Sequence, residues 1–161
     1  MGRHLVLHER THRKVVDHAA RESPIEAVGL LAGRVAGDAL IASDTVELQA
    51  WRNERFFVVE PYSQFRALTS PRTRRLSMVA IYHSHPMGSA SMSAADLEFA
   101  NLWDCPHVIV GSADQVDGRR GWRLRAWDAS GYGPVELPTV ITARPLPRGA
   151  VPFHRPQPGG G

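Results

Sequence analysis

Residues 79–96 hold the side chains best suited to chemistry: Val79-Ala80-Ile81-Tyr82-His83-Ser84-His85-Pro86, a small-residue loop, and then Ser93-Ala94-Ala95-Asp96. The apolar, β-branched start reads as a strand, along which side chains alternate faces, so His83 and His85 point the same way. A short loop returns the Asp96 carboxylate towards them. Two imidazoles and one carboxylate make three ligands, and three protein ligands with a fourth position left to water is the arrangement of a catalytic zinc, whereas structural zinc is closed by four. Each part also has a bland reading. Ser-x-x-Asp ahead of an apolar helix is a capping box, the commoner reason for that spacing. His-x-His is also found as a surface pair in a chain with 8 histidines. The cap and the ligand are compatible, because a carboxylate has two oxygens.

A second carboxylate stands upstream, in Pro24-Ile25-Glu26-Ala27-Val28-Gly29-Leu30-Leu31-Ala32-Gly33. The segment reads as a buried strand led by one acidic residue. On the residues alone Glu26 belongs at a solvated rim, since glutamate is rarely buried without a partner. Glu22 falls in the preceding helix end.

His-Ser-His-Pro followed by Ser-x-x-Asp, with Pro-x-Glu-Ala-x-Gly-Leu-Leu upstream, resembles the JAMM (MPN-plus) zinc metalloprotease family. The resemblance spans roughly residues 3–140 and is strongest at 24–33 and 79–102. It implies that His83, His85 and Asp96 hold Zn²⁺, that water is the nucleophile, that Glu26 is the general base and that Ser93 steadies the oxyanion. It implies a mixed α/β fold, a curved central sheet flanked by helices of the cytidine-deaminase-like kind. Met92 departs from the pattern, where proline is usual. Little chain follows Asp96 for the ubiquitin-holding insertions of eukaryotic members, so the sequence is more similar to the compact prokaryotic type. Those cut peptide or isopeptide bonds at the C-terminal diglycine of small ubiquitin-like sulfur carriers.

Other classes fit less well. A zinc deaminase needs His-x-Glu and Pro-Cys-x-x-Cys, which the surroundings of Cys105-Pro106 lack. A non-catalytic scaffold of the same fold normally lacks the ligands. A DNA-repair-associated relative with a similar His-x-His-Pro motif is a third alternative, favoured by the formal net charge of +3 and the clusters Arg72, Arg74, Arg75 and Arg119, Arg120, Arg123, Arg125. No basic helix interleaved with aromatics accompanies them, so nucleic acid is not indicated and a solvated surface explains the arginines. His8 and His12 have helical spacing for a metal but no glutamate partner motif.

The elements that must position these residues follow from pattern. Arg3–His8 alternates as a first strand. Glu9–Glu22 reads as a helix with Val15, Val16, Ala19 and Ala20 on its apolar side, ended by Ser23-Pro24. Further strands are expected at Ala39–Gln49, Phe56–Val59, Pro106–Gly111, Gly121–Trp127 and Val135–Ala143, with His107 structural. Helices are expected at Glu60–Thr69 and from Ser93 to about Trp103, the latter packing through Leu97, Ala100 and Leu102. The chain of 161 residues suits one domain over 1–143. Residues 144–161, rich in proline and ending in three glycines, read as an extended or disordered tail. No apolar run spans a membrane, there is no signal-peptide core, and the lone Cys105 forms no internal disulfide, which fits the cytoplasm. The sequence does not give the oligomeric state.

Overall fold

The computed structural model describes residues 2–52, 57–70, 76–113, 115–116 and 119–144. The first half runs β1 (His4–His8), α1 (Glu9–Glu22), β2 (Val28–Ala36), β3 (Ala39–Leu48), β4 (Ala50–Arg52), β5 (Phe57–Val59) and α2 (Pro61–Thr69). The second half runs β6 (Ser77–His85), α3 (Ala94–Ala100), β7 (His107–Gly111), β8 (Gln115–Val116), β9 (Arg119–Arg120), β10 (Arg123–Asp128), β11 (Val135–Leu137) and β12 (Thr139–Thr142). Eight strands form one sheet in the order β11-β10-β7-β6-β2-β3-β1-β12. The pairs β6–β7, β1–β3 and β1–β12 are parallel and the rest antiparallel, so the sheet is mixed. This is the expected fold class.

The sheet curls strongly. β11 and β12 lie at opposite ends of the strand order, yet only Pro138 separates them in the chain. Three consecutive residues span at most ~7 Å, whereas eight strands laid flat would span over ~30 Å. The two edges therefore meet, and α1 touches β1, β3, β7 and β12 from inside the curve. The single strand expected over Val135–Ala143 is thus two strands, broken where proline lacks the N–H a ladder needs.

Period-two alternation sorts the core onto the two faces. Leu31, Ala80, Tyr82, Val108 and Val110 pack with Val15 and Ala19 of α1. Val28, Leu30 and Ile81 pack on the other face with Ala67 of α2 and, at the margin, Phe99 and Trp103. Ala20, expected on the apolar side of α1, is exposed, while Thr11 and His18 are buried. His8 accepts a hydrogen bond from the Arg10 backbone N–H through Nδ1, 3.1 Å away, and so caps α1.

Two further expectations are corrected. The strand at 24–33 begins only at Val28, which leaves Glu26 on the approach to β2. Helix α3 ends at Ala100, because Leu102 and Trp103 donate to the carbonyls of Phe99 and Ala100 and tighten the last turn. That turn swings Leu102 out to 78% exposure, and Phe99 and Trp103 pack in its place.

Phe56, Arg72, Arg74, Arg75 and the tail beyond Arg144 lie outside the described residues. Arg125 is paired with Glu136 and does not stand free in a basic patch. Cys105 is half-buried, and burial pushes its thiol up to about 11, so it is an unreactive packing residue. Among the described residues no helix is long and apolar enough to cross a membrane.

Gly33 offers a direct test of this architecture. The β2–β3 register shifts between Ala32 and Gly33, and a Cβ on Gly33 would lie 1.8 Å from the Ile41 carbonyl oxygen. Backbone paired in a ladder cannot retreat as a flexible side chain can. Gly33→Ala is expected to destabilise the fold by about 3 kcal/mol, the upper end of overpacking costs, measured by urea denaturation.

Candidate metal centre

β6 runs through the middle of the sheet, and its alternation puts Ile81, His83 and His85 on the side of α3 and Tyr82 and Ser84 on the side of α1. Both sets are fixed. The Tyr82 hydroxyl meets His18 Nδ1 of α1 at 2.8 Å. Gly29 on β2 leaves room for the phenol, since a Cβ there would come within 2.4 Å of the ring. Fully buried Ser84 accepts a hydrogen bond from the Ala27 backbone N–H at 2.8 Å and donates its own N–H to the Ala27 carbonyl at 2.9 Å. The strand carrying the two histidines is thereby bonded to the residue after Glu26.

Beyond His85 the chain turns tightly: Gly88 N–H and Ser112 N–H both donate to the His85 carbonyl, and Ala113 N–H donates to Gly88. The loop then opens α3. Ser93 is its N-cap, with its Oγ accepting from Asp96 N–H at 3.1 Å and its own N–H donating to Asp96 Oδ2 at 2.7 Å. This reciprocal pair is the capping box expected from the spacing. It also holds the Asp96 carboxylate against the histidines, so cap and carboxylate placement are one device.

The three side chains converge. His83 Nε2 lies 3.0 Å from Asp96 Oδ1 and 3.1 Å from His85 Nε2, and His85 Nε2 lies 3.3 Å from Asp96 Oδ2. His83 is fully buried and Asp96 nearly so, while the His85 side chain keeps 16% of its surface open. His85 Nδ1 lies 2.8 Å from the Ser89 carbonyl oxygen. A carbonyl only accepts, so Nδ1 carries the hydrogen, and in the neutral ring the Nε2 lone pair faces His83 and Asp96.

That donor set fits a metal ion. Bare lone pairs and a carboxylate at such separations would repel, so either protons on the imidazoles or a metal ion must lie between them. Ligands held ~2.0–2.1 Å from one tetrahedral zinc stand roughly 3.3 Å apart, close to the spacings here. Two imidazoles and a carboxylate suit zinc by ligand type. Among the described residues this is the one cluster of three or more His, Cys, Asp or Glu side chains with metal-binding spacing.

The electrostatics agree. Burial works to raise the Asp96 carboxyl, but hydrogen bonds from His83, His85 and Ser93 overcome it and hold Asp96 far below the usual carboxylate range. Burial works to lower His85, and its bonds to Asp96 and the Ser89 carbonyl reverse that and leave it raised. Glu26 is half-buried, and its charge acts on His85 in the same direction, which puts a second carboxylate beside the cluster.

The floor of the site contains a residue that pattern reading assigned only a structural place. His107 is fully buried, and burial with His83 nearby pushes its pKa down to about 4. The Phe99 ring stands edge-on to both, 5.7 Å from His107 and 6.3 Å from His83. A neutral, apolar-packed His107 walls off the inner side of the cluster. Sequence reasoning also missed Ser84, although its place between two histidines on alternating faces was a usable signal. Nothing local marked Gly111 of β7 or Trp127 of β10, which contact the loop from two other strands.

With this geometry the chain can be placed among known proteins. It belongs to the prokaryotic homologs of the JAB domain, whose family model matches residues 8–125 and so spans Glu26, both histidines and Asp96. A probable TtuB-protein conjugate cleaving protease from Thermus thermophilus is 36% identical over 107 residues, covering 66% of this chain and 67% of that protein. The CysO-cysteine peptidase of Mycobacterium tuberculosis is 29% identical over 110 residues, 68% of this chain and 75% of that one. The fold is shared with a solution structure from Desulfitobacterium hafniense, with TM-score 0.75, 23% identity, and 87% of this chain and 94% of that one covered. It is shared more loosely with a JAB1/MPN domain protein from Archaeoglobus fulgidus, with TM-score 0.53, 19% identity, and 83% and 97% covered. The resemblance drawn from the two motifs is therefore one of family.

Proposed function

We propose that the protein is a zinc-dependent hydrolase that cleaves peptide or isopeptide bonds at the C-terminal diglycine of a small ubiquitin-like sulfur-carrier protein. One observation carries the reading: His83 Nε2, His85 Nε2 and the Asp96 carboxylate converge within 3.3 Å of one another. The substrate class is supported by the relatives, one named for cleaving TtuB-protein conjugates and another for CysO-cysteine. A single cysteine that needs no oxidation suits the cytoplasm.

His83, His85 and Asp96 would hold the zinc, which when bound supplies Lewis-acid polarisation and a water acidified towards pH ~7. The remaining work falls to the chain. Glu26 accepts the attacking water's proton on its carboxylate and returns it to the leaving amine. Ser93 uses an oxygen lone pair to cap α3, which leaves its hydroxyl hydrogen to donate to the oxyanion that forms from the scissile carbonyl. The Ser89 carbonyl keeps the hydrogen on His85 Nδ1, and partly buried Phe99 and fully buried His107 limit water from behind.

The test is hydrolysis of a diglycine-linked isopeptide by the zinc-loaded protein, with release of the amine followed chromatographically. Ser93→Ala is expected to lower kcat by roughly ten- to a thousand-fold. A loss of thermal stability with turnover intact would reduce Ser93 to a helix cap.

A further inference from the structure

The loop that joins the two halves of the cluster is gripped from outside it. The Ser89 carbonyl, which accepts from His85 Nδ1, and the Ala90 N–H belong to one planar peptide unit. That unit lies flat against the end of β7, where a Cβ on Gly111 would come 2.3 Å from both the Ser89 carbonyl carbon and the Ala90 nitrogen. Only glycine leaves that room. One bond further along, the Ala90 carbonyl accepts a hydrogen bond from the Trp127 indole N–H at 3.0 Å. The indole is itself held, since the Arg125 guanidinium sits 4.8 Å over its ring and forks onto Glu136 of β11. The same guanidinium donates to Ser91 Oγ at 3.3 Å, so β10 bonds two successive residues of the loop.

We propose that Trp127, acting with Gly111, is a positioning residue for His85: together they fix the Ser89–Ala90 peptide, and its carbonyl keeps His85 Nε2 bare and aimed at the metal position. The inference rests on the zinc reading above. It adds an assignment that neither metal-ligand motif contains, because the groups involved come from β7 and β10. Partners that orient a ligating histidine through its other nitrogen typically cost about 10- to 100-fold in metal affinity when lost. Trp127 acts one step further out, through the peptide, so the lower figure applies.

The experiment compares wild type, Trp127→Phe, Gly111→Ala and Trp122→Phe, each as the full chain. Zinc affinity is measured by chelator competition, the visible spectrum is recorded with cobalt(II) as a substitute ion, and thermal midpoints are taken without metal. Trp127→Phe keeps an aromatic side chain but loses the N–H together with part of the indole. It should weaken zinc binding about tenfold and alter the cobalt spectrum, with a metal-free midpoint no lower than that of Trp122→Phe. Gly111→Ala should weaken zinc binding further, and Trp122→Phe, which removes an indole that packs on the core instead, should leave it unchanged. Wild-type affinity and spectrum in both Trp127→Phe and Gly111→Ala would overturn the assignment while the zinc reading stood. A lowered midpoint with unchanged affinity would make Trp127 a packing residue and overturn it equally. Failure of wild type to take up zinc would overturn both.

Discussion

Glu26→Gln is expected to lower kcat by about 10²- to 10⁴-fold without lowering the zinc content that the proposed site takes up. The substitution preserves size and a hydrogen-bonding oxygen but removes the basic carboxylate, so no group remains to accept the water's proton and return it to the leaving amine. General acid–base assistance of this kind contributes about 10²- to 10⁴-fold, and kcat should fall within that range with KM little changed. Stability should hardly move, because Glu26 is half-buried on the approach to β2 and outside the ladder. Its position is set instead by the neighbouring Ala27, bonded twice to Ser84. Steady-state kinetics beside a zinc determination on the same preparation give the answer. Glu26→Gln with wild-type kcat would remove Glu26 from the mechanism and return it to a solvated rim.

The second large effect separates the two duties of Asp96. Its Oδ2 accepts from the Ser93 N–H, and both its oxygens face histidine nitrogens. Asp96→Asn keeps an oxygen for the cap and loses the anionic ligand. Asp96→Ala loses both. Each is expected to weaken zinc binding by more than about a hundred-fold, beyond the ~10- to 100-fold that outer partners cost, and to remove activity with it. Without metal, Asp96→Asn should unfold at a higher midpoint than Asp96→Ala, by roughly the 1 kcal/mol that a helix cap contributes. Equal zinc affinity in wild type and Asp96→Asn would mean that the carboxylate is a cap alone.

What the sequence made legible follows from which interactions are local. His83 and His85 share a face because a strand alternates, and Asp96 returns to Ser93 because a capping box is written in four residues. Both could be read without a structure. Glu26 could not be read from its own surroundings; the role proposed for it came from similarity to a family pattern, and Ser84, remote in sequence, bonds the residue next to it. Leu102 has the right spacing for a core position and is exposed, since the spacing cannot announce that the helix tightens and stops at Ala100. Residues 135–143 have a strand's composition, but only the closing of the sheet splits them at Pro138 into two opposite edges. Gly111 and Trp127 hold the ligand loop through contacts made after β7 and β10 pair, and pairing of that kind leaves no mark on either segment alone.

The central claim is that three side chains hold one zinc, and the zinc content of the purified protein tests it most directly. Elemental analysis of wild type beside Asp96→Asn and His85→Ala should find about one zinc per chain in wild type and almost none in either variant. Wild type that holds no zinc even after loading would contradict the account, leaving a capped helix beside two histidines and a fold of the JAB type without its chemistry.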